Sequence, residues 1–256
     1  MTTTASASKP EIVEETAPSV SNTADIGLFP IKLRLPETVI AAGPDACVNW
    51  FWDLCLANHE SVWQMELTAD GVLELMPPTN DPSDLHENRT SSKVYVWDEE
   101  QDFPGVPTGP TSGYRLPNGA LRVPDAAWTA LENIRSRQPG DTGGRPYCPD
   151  FVVEIRSASQ SRPSGLTELL NKMQEYMDNG AKLAWLIDPI ERAVRIYRAG
   201  AAEPEFLADP ETLDGEDVLP GFVFEVRRLI FDLVISHDDN CPVCHCCGTG
   251  VTTAGP

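Results

Sequence analysis

Residues 149–188 read PDFVVEIRSASQSRPSGLTELLNKMQEYMDNGAKLAWLID and carry the patterns of a strand, a helix and a second strand, in that order. Phe151 to Ser157 has the length and the β-branched residues of a short strand. The helix is predicted because apolar residues recur at steps of three and four and form one stripe, namely Leu166, Leu169, Leu170, Met173, Tyr176 and Met177. Asn179-Gly180 supplies its C-cap. Lys182 to Asp188 is a nearly continuous apolar run typical of a central strand, so the unit predicts an α/β fold.

Weaker patterns surround this unit on both sides. Trp63 to Leu67 and Val72 to Met76 alternate between apolar and other residues and predict a hairpin. Residues 79–100 predict a helix with Asp84 as its N-cap, and the proline- and glycine-rich residues 104–119 predict a loop. Further strands are expected at Ala120 to Trp128, at Val194 to Tyr197 and at Leu219 to Val226.

The globular domain is expected to run from about residue 45 to residue 236. Residues 1–27 are rich in Thr, Ser, Ala and Glu and lack apolar periodicity, so we expect this N-terminal segment to be disordered. Residues 237–256 are polar and rich in cysteine. Because the apolar pattern stops before them, we expect a flexible tail.

Composition is that of a folded, soluble protein. Hydrophobic residues make up 41% and charged residues 23% of the 256-residue chain, as in globular domains. There is no run of roughly 18 apolar residues and no secretory signal pattern, so we expect a cytoplasmic protein without a membrane partner. The formal net charge of -20 argues against binding to nucleic acid or anionic membranes through bulk electrostatics.

The first strand of the central unit concentrates charge on one face. Because side chains alternate along a strand, Asp150, Glu154 and Arg156 share that face. Charged groups on an apolar strand are costly to bury unless they are paired or bind a metal. Asp125 lies on the preceding predicted strand, where small neighbours leave its carboxylate open. Two acids on adjacent strands are therefore expected to converge.

Lys172 lies at the border of the apolar helical stripe, where it can reach over the sheet toward Glu154. Simpler interpretations exist for each residue taken alone. Lys172 can be a lysine whose stem packs along the stripe, and Asp125 a turn residue after proline. Glu154 and Arg156 can form an ion pair within the strand. The presence of all of them together favours a site.

A series of segments resembles the Uma-two family of putative restriction endonucleases, part of the PD-(D/E)XK nuclease superfamily. The segments are Ser112 to Gly119, Arg122 to Trp128, Pro149 to Ser157, Lys172 to Tyr176, Asn179-Gly180, Trp185 to Pro189 and Leu219 to Phe222. They occur in the family's order over about residues 45–232. Their combination of Pro-Asp, Pro-Asp-x-x-x-Glu and Lys-x-x-x-Tyr is specific, whereas any one piece would be weak.

The resemblance implies a restriction-endonuclease-like mixed β-sheet core flanked by helices, within the α/β class. It implies Asp125 and Glu154 as catalytic acids that hold Mg²⁺ or Mn²⁺, and Lys172 as the catalytic lysine. The superfamily lysine stands two residues after the second acid, where this chain has Arg156, so Arg156 becomes a residue that faces substrate phosphate or supports the site. Glu87 is the nearest candidate for the glutamate often found on the first core helix. Asp150 is a further candidate for substrate binding or support.

These residue types suit phosphodiester hydrolysis. Hard oxygen ligands select Mg²⁺ or Mn²⁺, and a bound metal lowers the pKa of a water. Lys172 would orient that water or stabilise developing charge. The leading hypothesis is a metal-dependent DNA endonuclease. The alternative is a catalytically silent nuclease-fold module that binds a protein or nucleic-acid partner, which the net charge and Arg156 favour.

DNA as a partner has to be reconciled with the acidic chain. Residues 122–172 hold seven basic and six acidic side chains, a net charge of +1, against -21 for the remainder. Because the Debye length is about 8 Å at physiological salt, such a locally basic face could still meet a phosphate backbone weakly. The sequence leaves a homodimer open.

Four of the seven cysteines crowd the tail as Cys241-Pro-Val-Cys244-His245-Cys246-Cys247. Cys241-x-x-Cys244 is half of a structural zinc site, but such sites usually have a second ligand pair about 12 or more residues away. We therefore expect a flexible, redox-exposed tail rather than a zinc site. The other three cysteines are scattered among apolar neighbours and are expected to be buried.

Overall fold

The computed structural model describes residues 30–79, 82–135 and 144–233. Within these ranges the strands are β1 (Ile31–Arg34), β2 (Gln64–Leu67), β3 (Val72–Met76), β4 (Gly105–Thr108), β5 (Tyr114–Arg115), β6 (Leu121–Arg122), β7 (Ala126–Ala130), β8 (Phe151–Ile155), β9 (Leu183–Asp188), β10 (Ala193–Arg198), β11 (Glu205–Ala208), β12 (Leu213–Asp214) and β13 (Val223–Phe224). The α-helices are α1 (Glu37–Ala41), α2 (Pro44–Ala57), α3 (Ser83–Glu100) and α4 (Pro163–Asp178). Short 3₁₀ turns lie at Leu131–Asn133 and Ala158–Gln160, and a π turn lies at Arg227–Phe231.

A mixed six-stranded sheet forms the centre of the fold, in the order β11-β10-β9-β8-β7-β4. Strands β8 and β9 are parallel and are connected by α4, as expected for a strand, helix, strand unit. The other neighbouring strands in this sheet run antiparallel. The predicted α/β class and mixed β-sheet core are confirmed.

Both faces of the central sheet are covered. Helix α4 buries Leu169, Met173 and Tyr176 against one face. On the other face, α3 and the segment around β13 pack their apolar side chains, and the ring of Phe222 stacks on that of Trp185 at 6.0 Å between centroids. Because β9 is buried on both sides, it reads as a continuous apolar run rather than an alternating one.

A second sheet, in the order β1-β3-β2-β6-β5, has one apolar face and one polar face. Helices α1 and α2 cover the apolar face, where Phe51 of α2 packs near Leu67 and Leu73. The polar face carries Glu66 and Glu74 and forms part of a cleft against α4. The chain passes from β6 in this sheet directly to β7 in the central sheet, so the residues between them lie where the two sheets meet.

The structure confirms the hairpin β2–β3, helix α4 and strands β9 and β10. The helix predicted in residues 79–100 is also present, as α3. The buried Thr90 hydroxyl donates a hydrogen bond to the His86 carbonyl at 2.8 Å, so this polar group has a partner within the helix. Asp84, however, is not the N-cap, because the helix begins at Ser83 and Pro82 occupies the cap position. Within the described residues, no helix is both long and apolar enough to cross a membrane.

Several boundaries predicted from the sequence were wrong. The fold begins before residue 45, since β1 pairs with β3. The predicted loop at 104–119 contains β4 and β5, and Pro107 is tolerated in β4 because that strand lies at the sheet edge. The strand expected at Ala120 to Trp128 is divided into β6 and β7, and the one at Leu219 to Val226 is reduced to β13. The predictions for residues 1–27 and 237–256, including the cysteine cluster, lie outside the described residues.

Replacing Phe222 by alanine is expected to lower the free energy of unfolding by about 3–5 kcal/mol, because the ring is buried between Trp97, Phe151 and Trp185 and a cavity would remain. Urea denaturation followed by circular dichroism measures the change. Phe206→Ala is the matched control, since that ring on β11 is exposed and its loss should cost under about 1 kcal/mol. Equal effects of the two substitutions would contradict the packing of this segment on the sheet.

Candidate active site

Glu154 lies near the end of β8 with its side chain toward α4. It is only 4% exposed. Its Oε1 lies 2.8 Å from Lys172 Nζ and accepts a hydrogen bond of 3.0 Å from the Tyr176 hydroxyl. Burial raises the pKa of Glu154 above its ordinary value; Lys172 opposes this shift and Glu66 adds to it. Glu154 is thus a buried carboxyl held by two groups from one helix.

Asp125 is brought to the same place by the pairing of β7 with β8. It directly precedes β7, whose first residue Ala126 pairs with Val153. Asp125 Oδ2 accepts a hydrogen bond of 2.6 Å from the backbone N–H of Ile155. Burial, followed by the nearby carboxylates of Glu154 and Glu87, raises the pKa of Asp125 well above its ordinary value. The convergence of two acids on adjacent strands, predicted from the sequence, is present.

Lys172 projects from α4 between the two sheets. Its Nζ lies 2.8 Å from Glu154 Oε1 and 2.8 Å from Glu66 Oε1. Burial by itself would lower the pKa of Lys172, but the two carboxylates raise it above its ordinary value. The ammonium is therefore a permanent charge at neutral pH. Lys172 reaches Glu154 as the helical wheel predicts, and its catalytic role stays a prediction.

Glu66 on β2 is a member of this cluster that sequence reasoning missed. Its Oε1 accepts the Val123 backbone N–H at 2.9 Å as well as Lys172, and its Oε2 lies 3.0 Å from Arg122 Nη1. Burial would raise the pKa of Glu66, but Lys172 and Arg122 together hold it below its ordinary value. The alternation of β2 does place Glu66 on the polar face. The alternation does not predict whether this face packs against α4 or faces water.

Arg122 on β6 connects the acids of three elements. Its guanidinium contacts Glu66, Glu74 of β3 at 3.0 Å and Glu175 of α4 at 2.6 Å. Burial would lower the pKa of Arg122, but these carboxylates raise it further above its ordinary value. Removing one partner from such a buried network leaves an uncompensated charge, so the network fixes the second sheet against α4.

Glu87 on α3 lies across the cleft from this cluster. It is half-buried and lines the same cleft as Asp125 and Glu154. Burial first, and then the charges of Glu154 and Asp84, raise the pKa of Glu87 to about 7. The structure therefore brings the helix glutamate suggested by the resemblance within electrostatic range of the two strand acids.

Two expected site residues lie elsewhere. Arg156 Nη1 lies 2.8 Å from Asp188 Oδ2 on β9, and its other nitrogens donate to backbone carbonyls of residues 160 and 161. Asp150, at the opposite end of β8, accepts the Ala130 N–H at 2.9 Å and lies 3.0 Å from Lys182 Nζ. Neither lines the cleft. In these contacts Arg156 and Asp150 hold the sheet and its loops together, which favours the supporting role over the substrate-facing one among the two that the sequence left open.

The cleft has a volume of about 700 Å³ and a strongly acidic lining. Among the described residues, eight acidic and three basic side chains line it. Among the basic residues of segment 122–172, Arg122 and Lys172 are buried in the acidic network, and Arg162 pairs with Glu168 at 3.3 Å. These three are engaged with carboxylates, and the locally basic face expected from the sequence stays a prediction.

The donor set fits a hydrated Mg²⁺ or Mn²⁺ better than a closed metal cage. In the described part of the chain, no group of three or more His, Cys, Asp or Glu side chains is arranged to enclose a metal ion. Among the described residues, the contacts given above engage one oxygen of Asp125 and one of Glu154, so the second oxygen of each can face a ligand. Mg²⁺ commonly binds one or two carboxylates and keeps several waters. A cation there would also relieve the repulsion from Glu154 and Glu87 that, after burial, raises the pKa of Asp125.

Glu87→Gln is expected to stabilise the metal-free protein at pH 8 and to have less effect near pH 5. The pKa of Glu87 in the fold, about 7, exceeds its ordinary value, so the folded state binds more protons than the unfolded chain between these values. The wild type therefore loses stability as pH rises through this window, and the glutamine variant avoids that loss. Melting temperatures from pH 5 to pH 8 in EDTA measure it, with Glu100→Gln on the exposed face of the same helix as control. A difference that does not change with pH would contradict the assignment.

Comparison with known proteins identifies the family and the fold of this chain. The family model Uma2, described as "Putative restriction endonuclease", matches residues 51–227. A crystal structure of a putative nuclease belonging to DUF820 from Anabaena variabilis ATCC 29413 has the same fold, with a TM-score of 0.56 and 19% identity over 70% of this chain and 96% of that chain. No curated protein matches the sequence significantly. The family match includes every residue of the acidic cleft from Glu66 to Glu175, and the chain belongs to the Uma2 family.

Proposed function

We propose that this protein is a metal-dependent DNA endonuclease that hydrolyses phosphodiester bonds, with Asp125, Glu154 and Lys172 at its centre. The observation that carries the proposal is the meeting of two carboxyls on adjacent strands with an ammonium 2.8 Å from one of them. Membership of a family of putative restriction endonucleases supports it. So does the nuclease fold of the structural neighbour.

Asp125 and Glu154 would hold Mg²⁺ or Mn²⁺, which supplies charge neutralisation at the phosphate and acidifies a water. Lys172 acts as a fixed positive charge. Because two carboxylates raise its pKa above the ordinary value, Lys172 cannot serve as the general base at neutral pH. Its ammonium instead stabilises the negative charge that develops on the phosphate oxygens.

Glu66 and Tyr176 position these groups rather than touching substrate. Glu66 keeps Lys172 charged and anchors it from the second sheet. The Tyr176 hydroxyl fixes one oxygen of Glu154 and thereby orients the other. This arrangement gives the site the support that a precisely placed catalytic group needs.

The acidic lining makes divalent cations a requirement for binding as well as for chemistry. With eight acidic residues against three basic ones, the cleft without a metal ion repels a phosphate backbone. A cation at Asp125 and Glu154 would reduce that repulsion at the point where the phosphate has to lie. We therefore infer that DNA affinity depends on the metal.

A catalytically silent module is the second candidate function. The observation that favours it is the engagement of Glu154 Oε1 by both Lys172 and Tyr176, which resembles a closed structural ion pair. Metal binding and cleavage separate the two candidates, because a silent module needs neither.

Asp125→Asn and Glu154→Gln are each expected to weaken Mn²⁺ binding at least tenfold, because each removes a charged oxygen ligand while keeping the side-chain volume. Isothermal titration of the intact protein with Mn²⁺ measures the affinity, and circular dichroism verifies that the fold is kept. Asp53→Asn, on the exposed side of α2, is the control. Unchanged Mn²⁺ affinity in both site variants would reject this metal site.

Lys172→Met should reduce Mn²⁺-dependent nicking of supercoiled plasmid by roughly 10²-fold, the scale of losing one electrostatic contact in the transition state. Lys172→Met also leaves Glu66 and Glu154 without their cation, which could disturb the site by itself. Lys172→Arg keeps the positive charge and should therefore retain more activity than Lys172→Met. Lys93→Met on the exposed face of α3 is the matched control. Full nicking activity in Lys172→Met would show that the lysine is dispensable.

A further inference from the structure

A second cavity of about 580 Å³ adjoins the acidic cleft. We call it the aromatic pocket. Its walls come from α2, from the residues that lead into β2 and from the segment before β5. Most of the residues that line it are aromatic, aliphatic or proline residues, among them Phe51, Trp52, Trp63, Met65, Pro77 and Pro110.

The aromatic pocket and the cleft are neighbours. The two cavities share part of their lining, namely Gln64, Pro77, Pro78, Thr79, Glu87 and Val123. Glu87 borders the aromatic pocket and is also within electrostatic range of Asp125 and Glu154. The aromatic pocket therefore lies beside the two acids, close enough for adjacent parts of one ligand to occupy both cavities.

The charge of the aromatic pocket excludes a phosphate as its occupant. Among the described residues that line it, Glu87 is the one acidic residue, and none is lysine or arginine. A phosphate would have no counter-charge there and would face a carboxylate. We therefore expect a ligand of the aromatic pocket to be uncharged, and the aromatic side chains favour a flat one.

The polar groups of the aromatic pocket suit a ligand with hydrogen-bonding edges. Gln64 carries an amide whose Nε2 donates to the Val123 carbonyl at 3.4 Å, a long bond that leaves donor and acceptor capacity. The buried Nε1 of Trp52 has no hydrogen-bond partner among the described residues. Aromatic faces with a few amide and indole groups are what proteins use to stack and read an unpaired base.

We propose that the aromatic pocket binds one nucleobase of the strand whose phosphate lies at Asp125 and Glu154. This inference rests on the proposed function. A base can enter the aromatic pocket only after leaving the duplex stack, and unstacking costs least at single-stranded, mismatched or terminal positions. The protein therefore selects unpaired nucleotides next to the scissile phosphate.

The test compares fluorescein-labelled single-stranded oligonucleotides in Ca²⁺, with binding followed by fluorescence anisotropy and with EDTA as the metal-free condition. One oligonucleotide has all its bases, and a set of others lacks one base at successive positions. Stacking of one base on aromatic side chains typically contributes about 1–3 kcal/mol, so one abasic position should weaken binding by about fivefold or more. The matching duplex should bind more weakly than the intact single strand.

Trp63→Ala links this effect to the aromatic pocket. The Trp63 side chain is 38% exposed, so its loss should leave the fold intact. The variant should bind the complete oligonucleotide about as weakly as the wild type binds the sensitive abasic one, with no further loss on the abasic one. Trp63→Phe should restore part of the affinity. Tyr95→Ala is the control, because that exposed ring on α3 lines neither cavity.

Three other results would contradict the inference. Binding of the oligonucleotides in Ca²⁺ without any sensitive abasic position would reject the nucleobase pocket and leave the proposed function standing. Absence of binding in both Ca²⁺ and EDTA would reject DNA as substrate and the pocket with it. If Trp63→Ala changed the mass measured by sedimentation, a second copy of the chain would be the occupant, and the proposal would be wrong.

Discussion

The ammonium of Lys172, held 2.8 Å from both Glu66 and Glu154, is the interaction on which the rest of the site depends. Through this ammonium, helix α4 connects Glu66 of the second sheet to Glu154 of the central sheet. A buried ammonium needs more than one carboxylate to offset its desolvation, and each of these carboxylates needs a cation for the same reason. The three elements β2, β8 and α4 therefore require one another. Arg122 extends this dependence to β3 and β6.

The cleft has more carboxylates than its own cations can neutralise. Near Lys172 and Arg122 the charges are matched, and there Glu66 has a lowered pKa. Toward α3 the matching fails, and Glu87 and Asp125 have raised pKa values. The balance of charge therefore changes across the cleft. One part holds the fold together through matched charges, and the other part has too few positive charges for its acids. The second part is where we propose that a hydrated divalent cation binds.

Much of this arrangement could be predicted from the sequence, because it follows from periodicity within single elements. The stripe of α4 predicts which way Lys172 projects, and alternation in β8 predicts the direction of Glu154. Glu66 could not be assigned, since alternation in β2 defines a polar face but not the surface it meets. The contact of Arg156 with Asp188 could not be predicted for a related reason. Its partner Asp188 lies on a strand 32 residues later, and only the parallel register brings them together.

The sequence distance between the members of the site has a consequence for the timing of its assembly. Glu66 and Lys172 are 106 residues apart, so their contact closes a long loop and forms late compared with local hairpins and helices. During synthesis, a chain that has emerged only as far as β8 holds both strand acids but has neither the ammonium nor the tyrosine that orient them. The complete site arises after α4 has been made and docked. The grouping of Asp125, Glu154 and Lys172 is therefore absent from the nascent chain and arises only with the tertiary structure.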